Sequence, residues 1–349
     1  MELILNDFEK ICDFSALYLA HLKACKGRSH KQGVMEFQIN LAHSLSNLQE
    51  SLLNKTYQMS GYSYFRVYEP KKRDIYETIH IDKIVMHVLC DKVLDFRLSP
   101  HFIYDNAACQ KGKGTHFALN RFTLFLQREF RRNGQEFYVL KCDISKYFAS
   151  INHDILKSLL RKKIKNTNVL DLLDHFIDSY ETRDGSGTGL PLGNQTSQWF
   201  ALFYMSEFDH FVKEKLGVKH YIRYMDDFVF VHHDKNYLWV VLTKIERFLW
   251  DNLGLRLNLK TAIIKVNCGV EFLGWRFFVN NRGQVVKRLK RQSMLRYYRG
   301  LSQLSARFEK NLIGFSDVMQ VTASYTGHLR YGHTYRLNQR GLRLLGRRL

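Results

Sequence analysis

Proline is nearly absent from this chain, at 3 of 349 residues, and no Ser/Gly-rich stretch interrupts it. A flexible linker is therefore not written into the sequence, and its parts should pack directly on one another. No apolar run approaches the ~18 residues that a membrane-spanning helix needs. The first residues, MELILNDFEK, carry acids where a signal peptide needs positive charge and a long apolar run. The six cysteines (Cys12, Cys25, Cys90, Cys109, Cys142, Cys268) are widely spaced and form no Cys-x-x-Cys pair. They read as reduced thiols, neither a zinc site nor a disulfide frame. Repeats and low-complexity tracts are missing too. Together these absences predict a soluble cytoplasmic protein with no membrane partner.

Acids are the scarcest charged class, with 33 Asp and Glu against 53 Lys and Arg and a formal net charge of +20. From Arg282 to the end, fifteen Lys/Arg stand against Glu309 and Asp317 alone, so +13 of the +20 lies in that tail. Such a surplus attracts polyanions by long-range Coulomb forces and counterion release. An anionic membrane surface would respond to the same charge, so charge alone does not choose the partner. With 45% hydrophobic, 14% aromatic and 25% charged residues, the chain is globular and large enough for more than one domain.

Residues 1–60 have helical spacing, with apolar positions through Phe37–Leu53 and a basic approach between Lys23 and Lys31. Tyr62–Tyr68 alternates like a strand. Helical spacing returns over 81–96 and 116–132. Phe137–Asp143 is a short apolar run ending in an acid, which predicts a buried central strand. Asn152 caps a helix with leucines three and four apart. Gly-rich 183–193 predicts a loop, 195–215 a long helix, and Tyr221–Val231 a hairpin around Met-Asp-Asp. An amphipathic helix follows over 236–252, then short strands between Leu255 and Phe278. The basic tail from Lys287 reads as helices with Arg and Tyr on exposed faces.

Two acidic positions carry the chemistry. Asp143 ends an apolar strand and Asp226-Asp227 occupy a hairpin tip. If strand and hairpin are neighbours in one sheet, three carboxylates meet at one edge. Hard cations such as Mg2+ take oxygen ligands of this kind, together with substrate phosphates. Two such ions can activate a primer 3′-hydroxyl and stabilise a leaving pyrophosphate. The bland alternative, that the pair of aspartates is only a turn, is weakened by the apolar flanks and by the second strand that also ends in an acid.

At this point the sequence resembles reverse transcriptases. Tyr224-Met225-Asp226-Asp227 is similar to their YxDD signature, and Asp143 within KCDISKYF to their other catalytic strand. YEPKKRDI (68–75) resembles the finger motif that grips the incoming triphosphate, and GLPLGNQTSQ (189–198) the motif beneath the nascent base pair. LNLKTAII (257–264) and EFLGW (271–275) resemble the lysine and primer-grip motifs. The resemblance covers about residues 60–280, with all six pieces in order.

It implies an α+β right-hand polymerase fold: a helical N-terminal region (1–60), fingers (61–135), an antiparallel-sheet palm (136–282) and a basic helical thumb (283–349). It further implies that Asp143 and Asp226 are the principal ligands of two Mg2+ ions, Mn2+ being the alternative metal. The backbone carbonyl of Ile144 would join them, and Asp227 would support. Lys71 and Arg73 would contact triphosphate oxygens, unless they are solvated surface charges. Phe148, five residues after Asp143, would be the steric gate against a 2′-hydroxyl, or else a core aromatic. Leu192, Gly193 and Gln198 would flank the incoming nucleotide, and Lys260 would be a general acid toward pyrophosphate. Phe272, Leu273, Gly274 and Trp275 would form the primer grip. Sheet packing is the other reading for Phe272 and Trp275, whereas Gly274 suits a backbone close to a ligand.

Two departures narrow the resemblance. Most of the family reads QGxxxSP where this chain has Leu192-Gly193-Asn194-Gln195-Thr196-Ser197-Gln198. That variant, with GKGTH (112–116) and SYTGHLRYGHTYRL (324–337), looks like the polymerases of diversity-generating retroelements. Those enzymes copy a template RNA with errors at adenines and work with a small basic helical accessory protein. The implied partners are accordingly template RNA, primer strand, cDNA product, deoxynucleoside triphosphates and such a protein. An anti-phage defence reverse transcriptase shares the same core. An RNA-dependent RNA polymerase is disfavoured by Phe148, and an inert nucleic-acid-binding protein by the intact aspartates.

Overall fold

The computed structural model describes residues 6–69, 72–180 and 185–346. In chain order it contains α1 (Asp7–Cys12), α2 (Phe14–Ala24), α3 (Gln32–Ile39), α4 (Leu41–Leu53), β1 (Tyr62–Val67), β2 (Arg73–Thr78), α5 (His80–Leu89), α6 (Asp95–Leu98), α7 (Thr115–Asn133) and β3 (Tyr138–Asp143). Then come α8 (His153–Lys163), α9 (Thr167–Asp178), α10 (Gln195–Tyr204), α11 (Ser206–His210), β4 (Tyr221–Tyr224), β5 (Asp227–His232) and α12 (Lys235–Leu253). The last elements are β6 (Ala262–Lys265), β7 (Val270–Phe272), β8 (Trp275–Val279), β9 (Val285–Leu289), α13 (Arg291–Glu309), α14 (Phe315–Leu329) and α15 (Tyr335–Gly346). No helix among the described residues is long and apolar enough to cross a membrane.

The chain packs as two compact units. One comprises residues up to Lys111, Ile144–Gly217 and Ile245–Leu257, and is mainly helical around the β1–β2 hairpin. The other comprises Gly112–Asp143, Val218–Lys244 and Asn258 onward. It holds a four-stranded antiparallel sheet in the order β4-β5-β3-β6 and a three-stranded one in the order β7-β8-β9.

The central strands form where the apolar runs predict them. Val139, Leu140 and Cys142 of β3 are buried, as is every residue of β5 from Phe228 to Val231. Strands covered on both faces need this continuous apolar composition. Asn152 caps α8, its Oδ1 accepting from the Ile155 N–H at 2.9 Å. In the basic tail, α13, α14 and α15 enclose a small core of Tyr297, Leu301, Leu304, Val318, Leu329 and Leu345.

Three spans with helical spacing form helix, but with interruptions. The span 37–53 breaks at Asn40 between α3 and α4, and 81–96 is interrupted by a π-helical turn at Cys90–Leu94. The expected long helix over 195–215 is α10, a break at Met205, α11 and a second π-helical turn at Phe211–Lys215. Apolar spacing tolerates one extra residue in a turn, so periodicity does not register such interruptions. In the tail, Tyr297 is buried in the helix core, where an exposed aromatic was expected.

Candidate active site

Antiparallel pairing sets the three aspartates. In the β3–β5 register Asp143 lies opposite Asp227, the last pair of the ladder. Tyr224 also pairs with Asp227, so Met225 and Asp226 form a two-residue turn. Met225 has φ +55°, a left-handed conformation that an L side chain adopts only when its surroundings enforce it. Arg223 supplies part of that enforcement: its side chain is fully buried and its Nη1 donates to the Met225 carbonyl at 3.0 Å. The arginine sits in plain view in YIRYMDD, but an isolated cation in an apolar strand gives no sign of its partner.

Asn258 clamps the other strand. Its backbone N–H donates to the Asp143 carbonyl at 2.7 Å, and its Nδ2 donates to Asp143 Oδ2 at 3.3 Å. Its own Oδ1 accepts from the Lys260 N–H at 3.1 Å. One side chain thus ties the Lys260 turn to the Asp143 carboxylate, and it was missed because its role depends on a pairing across 115 residues. The Lys260 side chain itself is exposed.

Asp227 is the electrostatic centre of the site. Burial pushes its carboxyl up from 3.8 to about 7; Lys141 opposes this, while Asp143 and Asp226 add to it. The Leu273 N–H donates to the same carboxylate. Asp227 Oδ1 is buried and has no hydrogen-bond partner among the described residues. A buried orphan oxygen beside two further carboxylates calls for positive charge. This donor set fits a hard divalent cation.

The sign of the pH effect follows. A raised carboxyl pKa in the folded state gives stability that is fully present below the ordinary value of 3.8 and lost as pH rises through about 7. In chelator, the wild-type chain is therefore expected to lose thermal stability between about pH 4 and about pH 7 relative to Asp227→Asn. Added Mg2+ should restore more of it at the higher pH, where the carboxylate is already deprotonated. Parallel melting profiles for the two chains across this range would remove the basis for the shift.

Leu273 and Gly274 form the turn of the β7–β8 hairpin, in which Phe272 pairs with Trp275. Both have positive φ, +46° and +85°, as a two-residue turn of this kind requires. Phe272 and Trp275 are fully buried: Phe272 packs edge-on against Phe122 at 5.3 Å, and the Trp275 ring lies 5.4 Å from His328. Their side chains are core, and Gly274 is the exposed position of the four.

The remaining predicted residues belong to the first unit. Ile144 is buried and bridges to Leu257. Phe148 lies on a 3-10 turn, Tyr147–Ser150, after the left-handed Lys146. It is half-buried, and its carbonyl accepts from the Leu190 N–H at 2.8 Å. The Leu192 carbonyl accepts from the Tyr76 N–H at 3.0 Å. At Gly193, φ is +124° and a Cβ would lie 3.1 Å from the Tyr76 carbonyl oxygen, so this approach of loop to β2 requires glycine. Gly193 and the exposed Gln198 line a cleft whose rim also carries Lys23, Lys26, Arg28 and Lys83. Arg28 and Lys83 both contact Glu77, at 2.8 and 2.7 Å. Arg73 is exposed at the start of β2, and Lys71 lies outside the described residues.

Residues 70–277 match the family model described as reverse transcriptase (RNA-dependent DNA polymerase). Protein YkfC of Escherichia coli is 26% identical over 284 residues, covering 68% of this chain and 72% of YkfC. A putative COX1/OXI3 intron 2 protein of Saccharomyces cerevisiae is 22% identical over 246 residues, covering 51% of this chain and 28% of the yeast protein. The solved telomerase of Candida albicans, in complex with a fragment of telomeric RNA, aligns with a TM-score of 0.51 at 13% identity. That alignment covers 78% of this chain and 56% of the telomerase chain, and it shows a shared fold, the right-hand polymerase fold. The matched family uses divalent metal ions.

Proposed function

The chain belongs to the reverse transcriptase family, an RNA-directed DNA polymerase class, and on that premise we propose that it makes error-prone cDNA by a two-metal mechanism in a diversity-generating retroelement. The observation that carries the catalytic part is the meeting of Asp143, Asp226 and Asp227 with one buried carboxylate oxygen left unpaired. In this reading Asp143 and Asp226 hold two Mg2+ ions with the Ile144 carbonyl, Asp227 supports them, and Mn2+ is the alternative metal. Bound there, the ions would ease deprotonation of the primer 3′-hydroxyl and offset charge on the leaving pyrophosphate.

The other roles follow the same reading. Lys71 and Arg73 bind triphosphate oxygens, and the Phe148 ring excludes a 2′-hydroxyl. Lys260 gives a proton to pyrophosphate. At the primer grip, Phe272 and Trp275 shape the hairpin from within, while the Leu273–Gly274 backbone meets the primer. The four-part division into N-terminal region, fingers, palm and thumb belongs to the proposal. So do template RNA, primer, cDNA product, deoxynucleoside triphosphates and a small basic accessory protein as partners.

Leu192 supports the diversity-generating reading. A glutamine there could hydrogen-bond the incoming nucleotide or the template, and leucine cannot. Losing one such contact removes on the order of 1 kcal/mol of discrimination, several-fold in selectivity. The test is primer extension on an adenine-rich RNA template with Mg2+, products sequenced, for wild type and Leu192→Gln. Expected are deoxynucleotide incorporation, errors concentrated at template adenines, and several-fold fewer of them in the variant. Faithful synthesis by the wild type would favour a defence polymerase instead. An unchanged error spectrum in Leu192→Gln would remove Leu192 from the account.

A further inference from the structure

His21 and Cys25 lie one turn apart on α2, so their side chains leave the same face of the helix. His80 is the first residue of α5. The fold brings the three together. His21 Nδ1 is 3.0 Å from His80 Nε2, and Cys25 Sγ is 3.8 Å from the first and 3.9 Å from the second. Cys25 Sγ lies nearer still to His21 Nε2, at 3.5 Å, so it sits to the side of the Nδ1 lone pair, and the three ligating atoms lie within 4.8 Å of one another. Zinc–nitrogen bonds are ~2.0–2.1 Å and zinc–sulfur bonds ~2.3 Å, so a turn of the His21 ring or of the Cys25 side chain brings all three within reach of one ion.

The surroundings favour such a chelate. His21 and His80 are 1% and 7% exposed, while Cys25 is half-buried, which leaves access from the cysteine side. Phe37 stacks on His21 at 5.3 Å and meets His80 edge-on at 5.2 Å, walling the imidazoles off from water. The Gln38 amide lies 3.8 Å from Cys25 Sγ, so a polar group stands beside the open side. Two imidazoles and a thiolate select a borderline-soft ion and reject Mg2+, which takes oxygen ligands.

We propose that His21, Cys25 and His80 form a zinc site, with three protein ligands and a fourth position open to water or an exogenous ligand. The site is independent of the aspartate cluster and of the polymerase reading. An ion held there pins α2 to α5. The last turn of α2 and the segment that leaves it carry Lys23, Lys26 and Arg28 along the cleft beside Gly193 and Gln198, so the ion would steady that basic rim. Searching the sequence for paired cysteines could not find this site, because its third ligand is 55 residues from Cys25.

The test is titration of the metal-stripped, full-length chain with Co2+, read by absorption. One equivalent should produce a thiolate-to-cobalt charge-transfer band that Zn2+ abolishes and Mg2+ does not. Cys25→Ser should lose the band, and His80→Gln should weaken Co2+ binding by more than about 100-fold, beyond the ~10–100-fold cost of an outer-shell partner. Asp226→Ala should keep it. No band in the wild type, or a band that survives Cys25→Ser, overturns the proposal and leaves the three side chains a hydrogen-bonded cluster. If Cys25→Ser fails to fold, alkylation of wild-type Cys25 with and without Zn2+, read by mass spectrometry, decides. Protection supports the site, and unchanged labelling overturns it.

Discussion

Asp226→Ala is expected to lower DNA synthesis on an RNA template by at least about a thousandfold, with the fold retained. Removing a carboxylate that holds a catalytic cation forfeits several kcal/mol of charge stabilisation in the transition state, and each 1.36 kcal/mol is about tenfold in rate. Stability should move the other way. Asp226 lies on the two-residue turn between β4 and β5, and its negative charge raises the carboxyl of Asp227. Relieving that repulsion should leave the melting temperature in chelator unchanged or slightly higher. Asp143→Ala should match the activity loss, but it also breaks the Asn258 side-chain contact, so its stability gain should be smaller. Polymerisation assays and thermal melts on the same preparations check both halves. If Asp226→Ala keeps wild-type synthesis, the aspartate cluster is not the catalytic centre.

Trp275→Ala is expected to cost about 3–5 kcal/mol, lowering the melting temperature on the order of 10 °C. The indole is fully buried between the β7–β8 hairpin and the tail helices, and truncation would leave a cavity there. The packing is close: a Cβ at Gly332 would lie 2.0 Å from the indole, so Gly332→Ala should also destabilise. Trp275→Phe separates packing from polarity. The indole Nε1 is buried without a hydrogen-bond partner among the described residues, so phenylalanine retains most of the apolar contact and removes an unsatisfied donor. It should melt near wild type. Were Trp275 a direct primer contact, alanine would instead impair extension while leaving the melt unchanged. Melting curves for the four chains, beside primer binding, distinguish the two.

Local pattern was enough for most of the elements, although it missed the breaks at Asn40 and Met205 and read as helix the residues Lys287–Leu289 that end β9. A continuous apolar run announced β3, and two short β-rich runs around Met-Asp-Asp announced the β4–β5 hairpin. An Asn cap with spaced leucines announced α8, and basic amphipathic stretches announced the tail helices. These signals are legible because strands and helices answer to the spacing of neighbouring side chains. The positions of the acids at strand end and hairpin tip were legible for the same reason. The site around them was not. The Asp143–Asp227 register, the Asn258 clamp and the Leu273 amide on Asp227 depend on strands meeting across long separations. The same holds for Phe272 and Trp275, whose burial separates core from contact, and for His21, Cys25 and His80, which only the packing of α2 on α5 brings together. The sequence by itself determined where most of the strands and helices form and which residue types lie at their ends. Tertiary structure alone decided which of those residues face one another, because burial, desolvation and hydrogen bonding are properties of the assembled neighbourhood and not of any one stretch of chain.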